Sequence, residues 1–263
     1  MRTRRKIYPK IFLRTHITGY DPYLLRDKVV SIFGVGGIGA VLAEILVRVG
    51  VGNIVIVDKD IVEEENLNRL GYYVGDIGKP KVDVLSERLL AFRRIMGKNF
   101  DVKIEKYYAN IFDFPEIDDI IKRSDCVLAA LDDIDARLEV NRYAIRHRKV
   151  LIDGGASTNG LRGRVTVVKP FIWPCLACYY MPDTMIEQGD LSNLTCNVSL
   201  PTTMCIIAAI QADQCLKYLL KKSGLKPLTL ISLEEGIKIS QIETIKRRPD
   251  CPYCAGEIVD QEN

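Results

Sequence analysis

The chain has 263 residues, 48% of them hydrophobic and 27% charged, and a formal net charge of +3. That length fits one large α/β domain with a sizeable core. The charge is too slight to indicate nucleic acid, and no uninterrupted apolar stretch is long enough for a membrane span.

Arg2, Arg4, Arg5, Lys6 and Lys10 make the N-terminus basic. No apolar h-region follows, so the segment does not read as a secretory signal. A basic arm without fixed structure is one reading of it. Val29–Phe33 is a short apolar run rich in β-branched residues, expected to be a buried strand. Gly34-Val-Gly-Gly-Ile-Gly39 follows. Gly34 permits a tight turn, Gly36 lets backbone approach a phosphate, and Gly39 lets the next helix pack against the strand. That helix is predicted over 37–49, with Val41, Leu42, Ile45 and Leu46 at helical spacing. Its free N–H groups favour anions, and Gly50 and Gly52 end it. Residues 54–57 form a second buried strand. Asp58 at its carboxyl end suits a ribose hydroxyl.

A glycine loop and an acid describe NAD as well as ATP. Asn66, Arg69 and Lys81 separate the two, because an NAD enzyme does not need this amide and two cations. Arginine grips phosphate as a planar fork and lysine as a point charge. The plainer alternative is that Gly78-Lys79-Pro80-Lys81 merely starts a helix predicted over 80–96. Further on, 126–131 reads as another strand, with Asp132 and Asp133 at its end. One carboxylate there suits Mg²⁺ bridging phosphates, and the other suits the cap of a helix over 134–146.

Between these lies a strand at 102–107. A further strand at 150–153 ends in Gly154-Gly155. The character then changes to antiparallel strands at 161–168, 229–233 and 237–244, the last two joined at Glu234-Glu-Gly236. Pro201 starts a helix to about residue 220. The two histidines, His16 and His147, lie in polar surroundings and are expected at the surface.

Cys175-Leu-Ala-Cys178 and Cys251-Pro-Tyr-Cys254 are two CxxC pairs. Four thiolates suit tetrahedral zinc, and a closed site of this kind is structural. Two redox dithiols or disulfides are the alternatives, disfavoured without a secretory signal. Cys126, Cys205 and Cys215 are expected in the core. Cys196 precedes a helix start, where a lowered pKa makes a nucleophile. A buried loop cysteine is the plainer reading.

Taken together, Gly34-Val-Gly-Gly-Ile-Gly39, Asp58-Lys-Asp60, Asn66-Leu-Asn-Arg69, Gly78-Lys-Pro-Lys81 and Asp132 five residues before Arg137 resemble the ThiF/MoeB/HesA superfamily of ubiquitin-activating-like adenylating enzymes. The resemblance runs from about residue 8 to 254. It implies an eight-stranded mixed sheet with flanking helices, a Rossmann-like nucleotide half, and a homodimer. It implies that ATP and Mg²⁺ activate the C-terminal carboxylate of a ubiquitin-like protein ending in Gly-Gly. Gly34, Gly36, Gly37, Gly39, Asp58 and Asp60 would then belong to the nucleotide site. Asn66, Arg69 and Lys81 would meet the phosphates, and Asp132 would hold Mg²⁺. The four cysteines of the CxxC pairs would hold one structural Zn²⁺. Cys196-Asn-Val-Ser-Leu-Pro-Thr-Thr-Met204 resembles the catalytic-cysteine segment of the branch that activates the ubiquitin-fold modifier, as does Asn68-Arg-Leu70. By that likeness Cys196 would carry a thioester, and a conjugating enzyme would act downstream. Relatives reach an arginine into the partner subunit's site; the nearest matches here are Lys10 and Arg14.

The expected organisation is a single adenylating domain: a basic, helical segment at 1–27, a nucleotide half at 28–155, and a half at 156–263 for zinc, thiol and protein substrate. A cytoplasmic location is expected. The rival functions are activation of a ubiquitin-like sulfur carrier without a lasting thioester, NAD-dependent oxidoreduction, and an idle zinc-stabilised binding scaffold.

Overall fold

The structure is a computed structural model that describes residues 8–92, 95, 100–180 and 200–255. Its core follows from the period-two alternation of three central strands. In β1 (Val29–Phe33), Val30 and Ile32 enter one apolar cluster and Phe33 enters a second on the opposite face. In β2 (Asn53–Asp58), Ile54 and Ile56 oppose Val55 and Val57 in the same way. β3 (Lys103–Tyr108) is a largely exposed edge strand. In β4 (Cys126–Ala129), Cys126 and Leu128 oppose Val127 and Ala129. Strands covered on both faces read as unbroken apolar runs, which is why these were visible in the sequence.

The strands continue as β5 (Leu151–Ala156), β6 (Arg162–Val168), β7 (Leu228–Ser232) and β8 (Lys238–Ile242), all in one eight-stranded sheet of order β3-β2-β1-β4-β5-β6-β7-β8. Pairing is parallel from β3 to β5 and antiparallel from β5 to β8. The helices are α1 (Leu13–Ile17), α2 (Pro22–Leu25), α3 (Gly39–Val49), α4 (Lys81–Ala91), α5 (Ile117–Arg123), α6 (Ile134–Arg146), α7 (Leu176–Tyr180) and α8 (Pro201–Leu219). The first cluster draws on α3, α4 and α8, and the second on α5, α6 and α7. Among the described residues, no helix is long and apolar enough to cross a membrane.

Helix α6 has the predicted bounds, with Asp133 as its cap. Helix α3 starts two residues later than expected, because 34–38 remain a loop. The strand expected to end at Gly154-Gly155 instead runs through both glycines to Ala156, paired along β6. Buried neighbours explain the two glycines. A Cβ on Gly154 would lie 2.3 Å from Gln211 Oε1, and one on Gly155 would lie 2.9 Å from Arg137 Nη2. Two short helices were missed. In α5, Ile117, Ile120 and Ile121 face the core, and α7 occupies the first CxxC pair.

Candidate nucleotide site and cysteine cluster

The carboxyl ends of β1, β2 and β4 open onto a cleft of about 190 Å³. It sits where the chain order along the sheet reverses, between β1 and β4, the usual place for a ligand in an open α/β sheet. Gly34, Gly36, Gly37, Asp58, Arg69, Lys81 and Asp132 all line it. Gly34 takes φ +86, and a Cβ on Gly39 would stand 1.9 Å from Gly34 O, so the loop closes on itself only with glycine at both positions. Gly36 differs: a Cβ there would meet no atom within 4 Å. Space stands over this backbone, as a cradle for a phosphate requires. At Gly37 a Cβ would lie 2.8 Å from Arg69 Cδ, so its absence lets the Arg69 side chain lie across the loop.

Asp58 is 8% exposed. Its Oδ2 accepts from Val35 N–H at 2.7 Å and its Oδ1 from Asp60 N–H at 2.8 Å. Burial pushes the carboxyl above its ordinary value, against the Val35 bond and the nearby Lys81 charge. Each oxygen keeps a lone pair for a ligand hydroxyl. Lys81 is buried and its Nζ meets Asp60 Oδ2 at 2.9 Å, so Asp60 aims the ammonium from the cleft wall. The two aspartates after β4 are placed differently. Asp133 Oδ1 accepts from Ala136 N–H at 2.7 Å as a cap, while Asp132 is exposed at the cleft wall. Asn66 is not among the wall residues. It is buried, and its carboxamide oxygen accepts from Glu63 N–H at 3.1 Å in a local turn. Lys10 and Arg14 are exposed on the N-terminal turn and α1, and Arg2, Arg4, Arg5 and Lys6 lie outside the described residues.

Several site residues carried no assigned role in the sequence reading. Tyr72, buried, donates its hydroxyl to Val35 O at 2.6 Å. Asn110, Ile111 and Phe112, just beyond β3, line the cleft. Their position past the end of a parallel strand was the available signal. Arg137 lines the cleft from α6 and donates to Leu131 O, the residue before Asp132. It also donates to Gly154 O at 3.1 Å and pairs with Asp153, which is fully buried. Arg164 lies 2.9 Å from the other Asp153 oxygen, an ion pair by distance without hydrogen-bond alignment. Burial lowers the Arg164 pKa, and the Asp153 charge opposes that.

Cys175, Cys178, Cys251 and Cys254 are buried with their sulfurs within 4.8 Å of one another. Three of the separations are 3.9, 3.6 and 3.5 Å. Sulfurs about 2.3 Å from a tetrahedral zinc stand about 3.8 Å apart, so the set fits zinc, whereas a disulfide needs about 2.0 Å. Local bonds hold both knuckles. Leu176 N–H donates to Asn141 Oδ1 at 3.0 Å, and Arg247 donates to Cys254 O and Phe171 O. Of the other cysteines, Cys126 and Cys215 are buried as expected, but Cys205 is only half-buried on α8. Cys196 lies outside the described residues. His16 is exposed, whereas His147 is partly buried against Asp118 at 2.9 Å rather than free at the surface.

The geometry agrees with the comparisons. Residues 20–253 match the ThiF family. The chain belongs to the ThiF family. Among its ThiF-family relatives, ubiquitin-like modifier-activating enzyme 5 of Caenorhabditis elegans is 33% identical over 211 residues, covering 74% of this chain and 48% of that protein. The protein of the same name from Oryza sativa subsp. japonica is 32% identical over 250 residues, covering 88% and 57%. The chain thus spans about half the length of the relatives it matches. Escherichia coli MccB solved with ATP superposes with a TM-score of 0.75 at 22% identity, over 94% of this chain and 75% of that one. MccB with AMPCPP and MccA gives 0.77 at 22% identity, over 96% and 76%. At that identity the likeness establishes the fold alone.

Proposed function

We propose that this protein uses ATP to activate the C-terminal carboxylate of a ubiquitin-like protein ending in Gly-Gly. The observation that carries the reading is the meeting of the glycine loop, Asp58, Arg69, Lys81 and Asp132 in one cleft. The name borne by relatives at 32–33% identity supports the choice of substrate.

In the first step a carboxylate oxygen of the modifier attacks the α-phosphorus of ATP. The new O–P bond forms as the bond to pyrophosphate breaks, and pyrophosphate leaves with the electron pair. The chain's contribution is positioning and charge. Asp58 accepts from the ribose, backbone at Gly36 admits the phosphates, and Arg69 and Lys81 offset their charge. Asp132 would hold the Mg²⁺ that accompanies ATP, which would offset phosphate charge. In the second step the Cys196 thiolate attacks the anhydride carbonyl, the C–S bond forms, and AMP leaves. The four cysteines would hold a structural zinc. A homodimer, a downstream conjugating enzyme and a cytoplasmic setting complete the reading.

The test is a non-reducing gel of protein charged with a modifier and MgATP. A reductant-sensitive conjugate should form and should vanish in Cys196→Ala, while ATP–pyrophosphate exchange persists. A persulfide on Cys196, or exchange with no conjugate at all, would assign the protein to sulfur-carrier activation instead.

A further inference from the structure

The turn after β3 leaves one large apolar side chain exposed at the cleft. Ile111 and Phe114 are buried in the second core cluster and pin the turn from both sides. Phe112, between them, is 55% exposed and lines the cleft. Its N–H donates to Asn110 Oδ1 at 3.3 Å, so the ring projects from a capped turn, Ile111–Asp113. A solitary exposed phenylalanine on an open surface needs no explanation. On the cleft wall, half-exposed, it offers a flat apolar face to whatever enters.

Strand order supplies the direction. The glycine loop follows β1. Asp58 ends β2, the neighbour of β1, and the Phe112 turn follows β3, the neighbour of β2. A nucleotide with phosphates over the loop and ribose at Asp58 therefore extends its base toward the end of β3. We propose that Phe112 is a stacking platform for the adenine ring, supplying affinity at the base end of the cleft. The proposal rests on the nucleotide reading given above. Every base has a π-face, so stacking adds affinity without fixing base identity.

Titration of the full chain with MgATP and, separately, with magnesium tripolyphosphate, which lacks base and ribose, tests it. Phe112→Ala should weaken ATP binding about tenfold and leave tripolyphosphate binding unchanged. Phe112→Trp should restore ATP affinity. Equal weakening of both ligands, or no change with ATP, would overturn the stacking role. A wild-type protein that binds tripolyphosphate but gains nothing from ATP would overturn it too. A wild-type protein that binds neither ligand would remove the nucleotide reading itself and the stacking role with it.

Discussion

The Tyr72 hydroxyl donates to the Val35 carbonyl at 2.6 Å, while the Val35 N–H donates to Asp58 at 2.7 Å. A single residue of the glycine loop is thus held from both sides, by the segment that carries Arg69 and by the end of β2. Burial raises the Tyr72 pKa far above that of free tyrosine, so the hydroxyl is a permanent donor. Tyr72→Phe deletes only this bond. It should cost about 1 kcal/mol in urea unfolding and weaken ATP binding severalfold. Lost stability with unchanged ATP affinity would reduce Tyr72 to a core residue.

Gly36 and Gly39 lie three residues apart and should respond in opposite ways. Gly39→Ala forces a methyl against Gly34 O, which is backbone and cannot step aside. The loss should be on the order of 4 kcal/mol, the range of a core steric defect. Gly36→Ala meets nothing inside the fold. Its stability should stay within about 0.5 kcal/mol of the parent while ATP binding falls, because the new methyl occupies the phosphate's space. Thermal unfolding and titration calorimetry on the two variants separate these outcomes.

Asp58 gives a pH signature. Its raised pKa means that it takes up a proton above the 3.8 of a solvated aspartate. Protonation removes a charge and one acceptor site, so ATP affinity should fall on acidification with a midpoint above that value. The free protein should show the opposite trend. A raised folded-state pKa adds stability that is complete below 3.8 and is lost as pH climbs through the folded value. Asp58→Asn should flatten both curves. An ATP-binding midpoint at or below that of solvated aspartate would contradict this account.

The cysteine cluster predicts one zinc per chain, measurable by elemental analysis. Stripping it with a strong chelator should lower Tm on the order of 10 °C, since metal-binding energy in such a site is folding energy. Cys254→Ser should lose the metal. Full stability without zinc would mean that the four thiols are simply buried.

Legibility in the sequence followed the range of the cause. β1, the glycine loop, α3 and β2 were readable because both faces of the strands are apolar and the glycines follow at fixed spacing. α6 had its own cap and a clear helical period. Tyr72 was not readable as a site residue, since its partner Val35 is 37 positions away. Nor was the Arg137–Asp153–Arg164 cluster, which exists only once α6 lies against β5 and β6. Gly154 and Gly155 looked like a strand end because the two side chains that fill their space, Gln211 and Arg137, come from helices elsewhere in the chain. The two CxxC pairs were obvious singly. Their meeting across 76 residues is a property of the fold.

Modifier-dependent ATP–pyrophosphate exchange tests the central claim most directly. Purified protein with magnesium should exchange label only when a ubiquitin-like protein with its terminal Gly-Gly is present. The rate should collapse in Asp132→Ala and in Arg69→Ala. Exchange that survives both substitutions, or ATP binding with no exchange for any such modifier, would contradict the account.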